Sequence, residues 1–562
     1  MDYKRLSELL FPDVTLTRED IEARFPPRNL PEGAKVTRFA PSPTGFIHLG
    51  GLFPSTVSER LAHQSGGVLF LRIEDTDAKR EVDGAAVALI KTLARFGINF
   101  DEGATIGENG EIVDKGDYGP YKQSERKEIY HVFAKWLVAE GKAYPVFTTD
   151  EELEALREVD KKAEVKAREW TPELEAEQKA EMLKQREFTI EEVEEHLKNG
   201  DKFVLRMLAN GNPDNKIKFT DLIKGNLEIP ENDKDEVLLK SDGIPTYHFA
   251  HAIDDHFMGT THVVRGEEWL PSLPRHIMLF GYLGFKLPKF MHIAQIMHLD
   301  ENGNKKKLSK RDMGANVEDY RRMGYTNECM TEYVMTLLNS NFEEWHAQNP
   351  DKPITDFPFS IKKMSTSGCL LDFGKLTDVS KNVLSKMTTD EIYSKVADWA
   401  EEFDPDFAAH LTADPEYSKK IFAIGRGGKK PRKDFATLAD VKPFMGFFFD
   451  DYFRIEEGYA ENYDRADIRA ALEGFLKTYD PADDMNAWFE KIQKIGEGLG
   501  YTPDMKAYKA DPTAFRGNVG DISMFIRVAV TGRLNSPDLY TVMQIIGEDR
   551  TRARIKTMLE SL

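Results

Sequence analysis

Arg38-Phe-Ala-Pro-Ser-Pro-Thr-Gly45, running into His48-Leu-Gly-Gly51, and the distant Lys307-Leu-Ser-Lys-Arg311 carry between them the residue types needed to hold a nucleoside triphosphate and support attack on its α-phosphorus. Gly50 and Gly51 open a helix predicted over 50–66. At such a terminus free backbone N–H groups and the positive end of the dipole favour phosphate oxygens, and glycine lets the backbone approach them. His48 stands at the helix mouth and can donate to a phosphate oxygen. Lys307, Lys310 and Arg311 add mobile positive charge for a departing pyrophosphate. The nucleotide contacts expected from these segments are Thr44, Gly45, His48, Gly50, Gly51, Leu308, Ser309 and Lys310, with His48, Lys307 and Lys310 as the catalytic candidates.

These residues need a scaffold that brings several strand ends to one edge. Residues 36–39 read as a strand and 41–45 as a turn, while 68–73 is apolar almost throughout, as a strand covered on both faces should be. Its carboxyl end carries Glu74, Asp75 and Asp77, at the edge where open α/β sheets bind ligands. Ile129, Phe133 and Leu137 fall at helical spacing within 126–140 and read as core. From about 145 to 236 the alternation is interrupted by a charged helical stretch (151–195) and a strand (203–208), an insertion between two halves of one sheet. The sheet is expected to resume with strands at 237–240 and 261–264, the second followed by Arg265 and Glu268. A helix over 271–283 and a strand over 290–297 then deliver the lysine loop. Beyond Arg311 the patterning is helical, including 328–338, 389–403, 466–478 and 538–546. The fold class is α/β, a Rossmann-type parallel sheet with an inserted domain, followed by an all-α C-terminal region.

Further blocks stand in order: Arg72-Ile-Glu-Asp-Thr-Asp77, Gly119-Pro-Tyr-Lys-Gln-Ser-Glu-Arg126, Lys240-Ser-Asp-Gly-Ile-Pro-Thr-Tyr-His-Phe-Ala250, Asp254-Asp-His256 and Val264-Arg-Gly-Glu-Glu-Trp269. With the two phosphate-site motifs they resemble the glutamyl branch of the class I aminoacyl-tRNA synthetases, bacterial type. The match is dense over 36–311, looser to about 387 and thin beyond, apart from 519–547, and residues 1–35 have no counterpart. The resemblance implies an N-terminal extension (1–35), a catalytic first half (36–144), an inserted acceptor-binding domain (145–236), a catalytic second half (237–318), a helical stem-contact domain (319–430) and a helical anticodon-binding domain (431–562).

The resemblance also implies roles. Arg38 with Tyr247 would face the side-chain carboxylate of glutamate, Arg265 its α-carboxylate, and Ser42 with Glu74 its amino end. Glu268 and Trp269 would contact adenosine, and His251 stands near the substrate where some members place an asparagine, with a charge that could vary with pH. The reaction implied is ATP-dependent attachment of L-glutamate to tRNA(Glu) through glutamyl-adenylate, releasing pyrophosphate and AMP, with Mg2+ travelling on the ATP phosphates. Asp254, Asp255 and His256 are expected to hold local structure rather than a metal. Zinc is not expected, because Val146 and Thr148 occupy positions where zinc-bearing members have cysteines. A non-discriminating enzyme that also charges tRNA(Gln), a shortened paralogue that modifies a tRNA base, and a tRNA-binding paralogue without catalysis are the alternatives. The helical tail argues against the second, and the intact His48, Lys307 and Lys310 against the third.

The formal charge of −20 runs against a simple basic footprint for RNA, so a tRNA must meet local patches such as 304–307 and 425–433. Two cysteines, Cys329 and Cys369, exclude a disulfide framework and fit a reducing cytoplasm. No long apolar stretch spans a membrane, the charged N-terminus lacks a secretory pattern, and a monomer is expected.

Overall fold

The computed structural model of the chain describes residues 1–45, 47–77, 82–147, 186–308 and 315–562. Two compact units form: Met1–Val317 with Val334–Leu371, and Glu318–Tyr333 with Asp372–Leu562.

In the first unit β1 (Val36–Phe39), β2 (Val68–Leu71) and β3 (Glu102–Ile106) run parallel, and β4 (Ile112–Lys115) closes this four-stranded sheet as an antiparallel edge. The apolar run Leu69-Phe-Leu71 is fully buried, as a doubly covered strand requires. Gly103, at φ +112°, is where β3 closes on β2, and a Cβ there would stand 2.2 Å from the Leu71 carbonyl oxygen. β5 (Ala143–Val146), β6 (Val204–Met207) and β9 (Val237–Leu239) make a separate antiparallel sheet, and β7 (Lys216–Asp221) with β8 (Gly225–Pro230) a hairpin. β10 (His262–Gly266) and β11 (Lys289–Ile293) then pair in parallel. Thr261 N–H donates to the Val36 carbonyl at 3.0 Å and Lys289 N–H to the Thr261 carbonyl at 2.9 Å. The order β3-β2-β1-β10-β11 follows, with the chain reversing direction across the sheet beside β1, where ligands bind in such folds.

Three local expectations change. The strand expected to resume the parallel sheet at 237–240 is β9, which pairs antiparallel with β6 through Leu205↔Leu239 and belongs to the insertion. A short apolar run such as Val-Leu-Leu carries no mark of its partner. The single strand expected over 290–297 divides into β11 and β12 (Ile296–Leu299), because Gln295 N–H leaves the ladder to bond Glu267 Oε1 at 3.1 Å. Lys307, expected on a loop, ends β13 (Lys305–Lys307), antiparallel to β12, with β14 (Cys369–Leu370) on the other side of β12. The expected helix over 126–140 forms as Lys127–Ala139 and buries Ile129, Phe133 and Leu137. Of the charged stretch 151–195, helix Ile190–Lys198 is seen, capped by a Thr189/Glu192 box, while 148–185, with Thr148, lies outside the described residues.

The first 35 residues, which the sequence left without a role, are part of this unit's core. Helices Tyr3–Leu10 and Arg18–Arg24 bury Leu6, Leu10 and Ile21, and the adjoining Phe11 and Phe25 pack edge-on to Phe203 of the insertion and tilted against Phe257, at 5.9 and 5.7 Å. Arg28 grips Glu102 with both terminal nitrogens at 2.8 Å and lies 3.9 Å over the Tyr118 ring. The second unit is helical, with helices Arg465–Thr478, Met485–Leu499, Val519–Thr531 and Glu548–Ser561 burying Leu472, Ile492, Ile522, Phe525 and Ile555. Its helix Thr389–Phe403 keeps the bounds expected from sequence. Among the described residues no helix is long and apolar enough to cross a membrane.

Phe25→Ala removes a side chain buried against both Phe257 and the Arg126 guanidinium. It is expected to destabilise the first unit by about 3–5 kcal/mol, seen as an earlier denaturant transition. An unchanged midpoint would mean the extension is a dispensable appendage.

Candidate active site

The carboxyl ends of β1, β2 and β10 open into a cavity of about 640 Å3. Its lining includes Arg38, Ser42, Glu74, Tyr247, Arg265 and Trp269 together with Thr44, Gly45, His48, Gly50, Gly51 and Glu268. A second cavity of about 320 Å3 shares His48, Gly50 and Glu268 with the first and adds Lys307 and Leu308. The two distant motifs therefore meet: His48 and Lys307 border the same space. Ser309, Lys310 and Arg311 lie outside the described residues. A Cβ on Gly50 would stand 2.8 Å from His48 Nδ1, so glycine there is what lets the imidazole fold over the first turn of helix Leu49–His63.

His251 does not reach the cavity wall. It is fully buried, stacked on Tyr247 with ring centroids 5.4 Å apart. Its Nδ1 lies 2.7 Å from Asp255 Oδ2, an ion-pair distance, yet neither ring nitrogen makes an oriented hydrogen bond. Burial pushes its pKa down to about 4 against the opposing pull of Asp255. Burial thus disfavours the charged form of the ring.

Beneath the cavity runs a buried charge network. Asp255 accepts from Arg38 Nε at 3.2 Å and Arg72 Nη1 at 2.7 Å, and Arg72 also donates to Glu74 at 3.0 Å. Asp254 takes Arg126 Nε at 2.7 Å, Gln123 at 2.8 Å and the Tyr130 hydroxyl at 2.9 Å. Both aspartates are thus committed to side chains of β1, of the residue after β2, and of the turn and helix over 123–139. Burial alone would raise the Asp255 pKa, but Arg38, Arg72 and His251 outweigh it and hold the carboxyl well below its usual range. Burial raises the Glu74 pKa, with Arg72 and Arg38 pulling the other way.

Arg265 is different in kind. Its Nε donates to His292 Nε2 at 2.9 Å and its Nη1 approaches His276 Nδ1 at 3.2 Å, while the buried Nη2 has no partner. No carboxylate among the described residues lies within ion-pair distance of it. The sequence reading missed His276, His292 and Asp221, which bonds His292 Nδ1 at 2.7 Å. The one signal for His292 is its place directly across from Arg265 in the β10–β11 register, visible only once the pairing is known.

A family model for the class I tRNA synthetases (E and Q), catalytic domain, matches residues 35–360, more than half of the chain. The chain belongs to this class I synthetase family. A synthetase catalytic domain accounts for the first unit's sheet and cavity, and a model for an anticodon-binding domain matches residues 512–559 in the helical second unit. The chain is 48% identical to a glutamate–tRNA ligase of Acetivibrio thermocellus and 45% identical to one of Clostridium perfringens, each alignment covering 100% of both proteins. Among solved structures, a glutamate–tRNA ligase from Elizabethkingia meningosepticum in complex with its amino acid superposes with a TM-score of 0.70 at 27% identity, covering 94% of this synthetase and 99% of that one.

Asp255→Asn leaves the buried Arg38 guanidinium without its counter-charge and removes one of the carboxylates that meet Arg72, and is expected to cost about 3–5 kcal/mol at neutral pH. The native carboxyl has a depressed pKa, so its contribution is complete above the unfolded value near 3.9 and fades only as pH falls towards the folded value. Unfolding curves of the two proteins should therefore stay a constant distance apart from pH 7 to about pH 4 and converge below. A gap already closing by pH 6 would exclude Asp255 as its source.

Proposed function

We propose that this synthetase is a glutamate–tRNA ligase, using ATP and L-glutamate to charge tRNA(Glu) through an enzyme-bound glutamyl-adenylate. The observation that carries the reading is the pair of guanidiniums on the cavity wall. Arg265 has no protein carboxylate, and Arg38 shares Asp255 with Arg72. Such a wall suits a ligand bearing two carboxylates, and arginine's fork grips each with a directionality that lysine lacks. In this assignment Arg38 with Tyr247 takes the side-chain carboxylate, Arg265 the α-carboxylate, and Ser42 with Glu74 the ammonium. Support for glutamate also comes from the relatives, named glutamate–tRNA ligases over their full length.

ATP fits the adjoining space, with Thr44, Gly45, Gly50 and Gly51 near the phosphates, Glu268 and Trp269 at adenosine, and Mg2+ entering with the nucleotide. An oxygen of the substrate α-carboxylate attacks the α-phosphorus, the bond to the bridging oxygen breaks, and pyrophosphate leaves. His48 donates to the phosphate at the helix mouth, while Lys307 and Lys310 follow the negative charge onto the leaving group. In the second step the 2′-hydroxyl of the terminal tRNA ribose attacks the acyl carbon and AMP departs. No side-chain nucleophile is required. Glutamine is rejected because its neutral amide would leave the Arg38 guanidinium without a substrate carboxylate.

Charging of purified tRNA(Glu) and tRNA(Gln), side by side with either amino acid, tests the assignment. Glutamylation of tRNA(Glu) is expected, and charging with glutamine alone would overturn it. Arg38→Ala is expected to raise the KM for glutamate roughly 10- to 100-fold, with a much smaller effect on ATP. Equal losses for both substrates in pyrophosphate exchange would remove Arg38 from the glutamate pocket.

A further inference from the structure

Arg265 sits between imidazoles, and the logic of donors and acceptors fixes each proton. An arginine side chain only donates, so the nitrogens facing it, His292 Nε2 and His276 Nδ1, must both present lone pairs. His292 then carries its proton on Nδ1 and gives it to Asp221 Oδ2 at 2.7 Å. His276 carries its proton on Nε2 and gives it to His248 Nδ1 at 2.8 Å. Asp221 is itself fixed, because its Oδ1 accepts the backbone N–H groups of Ile223 at 2.9 Å and Lys224 at 2.8 Å, and its Oδ2 that of His292 at 3.2 Å.

We infer that Asp221 and His292 are positioning residues for substrate binding, holding the Arg265 guanidinium through a neutral imidazole so that its positive charge faces the cavity without a protein counter-ion. A carboxylate in place of His292 would hold Arg265 as firmly but would neutralise the charge that a substrate carboxylate must find. A water in place of His292 would leave the charge but not the orientation. The imidazole does both only in one tautomer, and Asp221 selects it. Burial lowers the His292 pKa against the opposing bond from Asp221, in keeping with a neutral ring.

Asp221 comes from the tip of the inserted β7–β8 hairpin, not from the parallel sheet. The same tip sends Lys224 to Glu267, which immediately precedes the Glu268–Trp269 pair on the cavity wall, and to the Thr366 carbonyl at 2.6 Å. The insertion thereby supplies part of the apparatus that aims a substrate-binding arginine.

The inference rests on Arg265 binding glutamate, and the experiment separates the two. Steady-state kinetics of the full chain with saturating tRNA would compare Asp221→Asn, His292→Met, His292→Gln and, as a control, Arg265→Lys, each first checked for a native thermal transition. Asp221→Asn keeps the volume but removes the fixed acceptor, and His292→Met fills the space without a lone pair of imidazole geometry. Both are expected to raise the KM for glutamate roughly tenfold, with kcat and the KM for ATP within about twofold. His292→Gln can place an amide oxygen near the former Nε2 and is expected to recover most of that loss. Glutamate and ATP constants rising together, or Gln behaving no better than Met, would reduce the dyad to packing and overturn the inference. A control Arg265→Lys with an unchanged glutamate KM would overturn the underlying assignment of Arg265 instead.

Discussion

Asp255 is the constraint on which the catalytic half depends. One fully buried carboxylate serves Arg38 at the end of β1 and Arg72 just beyond β2, and it stands on helix Tyr247–Phe257. Charges this deep are tolerated only when each is met by a partner at good geometry. Satisfying them draws that helix against the carboxyl edge of the sheet, which in turn sets Tyr247 on the cavity wall. Asp254, the next residue on the helix, anchors the other side through Arg126, Gln123 and Tyr130. Adjacent acidic residues thus tie helix Tyr247–Phe257 to β1, to the end of β2 and to the segment 123–130.

Against this compensated network Arg265 stands out by what surrounds it. Arg72 and Arg126 hold the fold and have carboxylates. Arg265 has imidazoles, and a guanidinium so placed is stabilised in orientation but not in charge. Burial does not draw this contrast, since all of these arginines are buried.

Much of this was legible in the chain. The helix-opening glycines, the acidic end of β2 and the apolar run of β2 each declare themselves locally, because a doubly covered strand and a helix mouth have compositional marks. The helix periods of the second unit were read almost to the residue at Thr389–Phe403. Partner choice was not legible. Val237–Leu239 has no feature to say it pairs with β6, and His292 has none to say it faces Arg265, because both are facts of register between segments far apart in sequence. The division between β11 and β12 was hidden for a related reason, since a tertiary acceptor, Glu267, takes the Gln295 amide out of the ladder. Residues 1–35 matched no known motif, yet Leu6, Leu10, Ile21 and Phe25 are the apolar positions that bury.

That burial has a consequence for how the chain is made. Phe25 finds its place against Phe257, and Arg18 donates to the Leu283 carbonyl while lying over the Trp136 and Phe285 rings. During synthesis the segment 18–25 leaves the ribosome more than 200 residues before Phe257, Leu283 and Phe285 do, an interval on the order of ten seconds or more at ordinary translation rates. β1 waits similarly for Thr261. The apolar side chains of 1–35 that pack on the second half of the sheet must therefore stay soluble, or be shielded by a chaperone, until that half arrives.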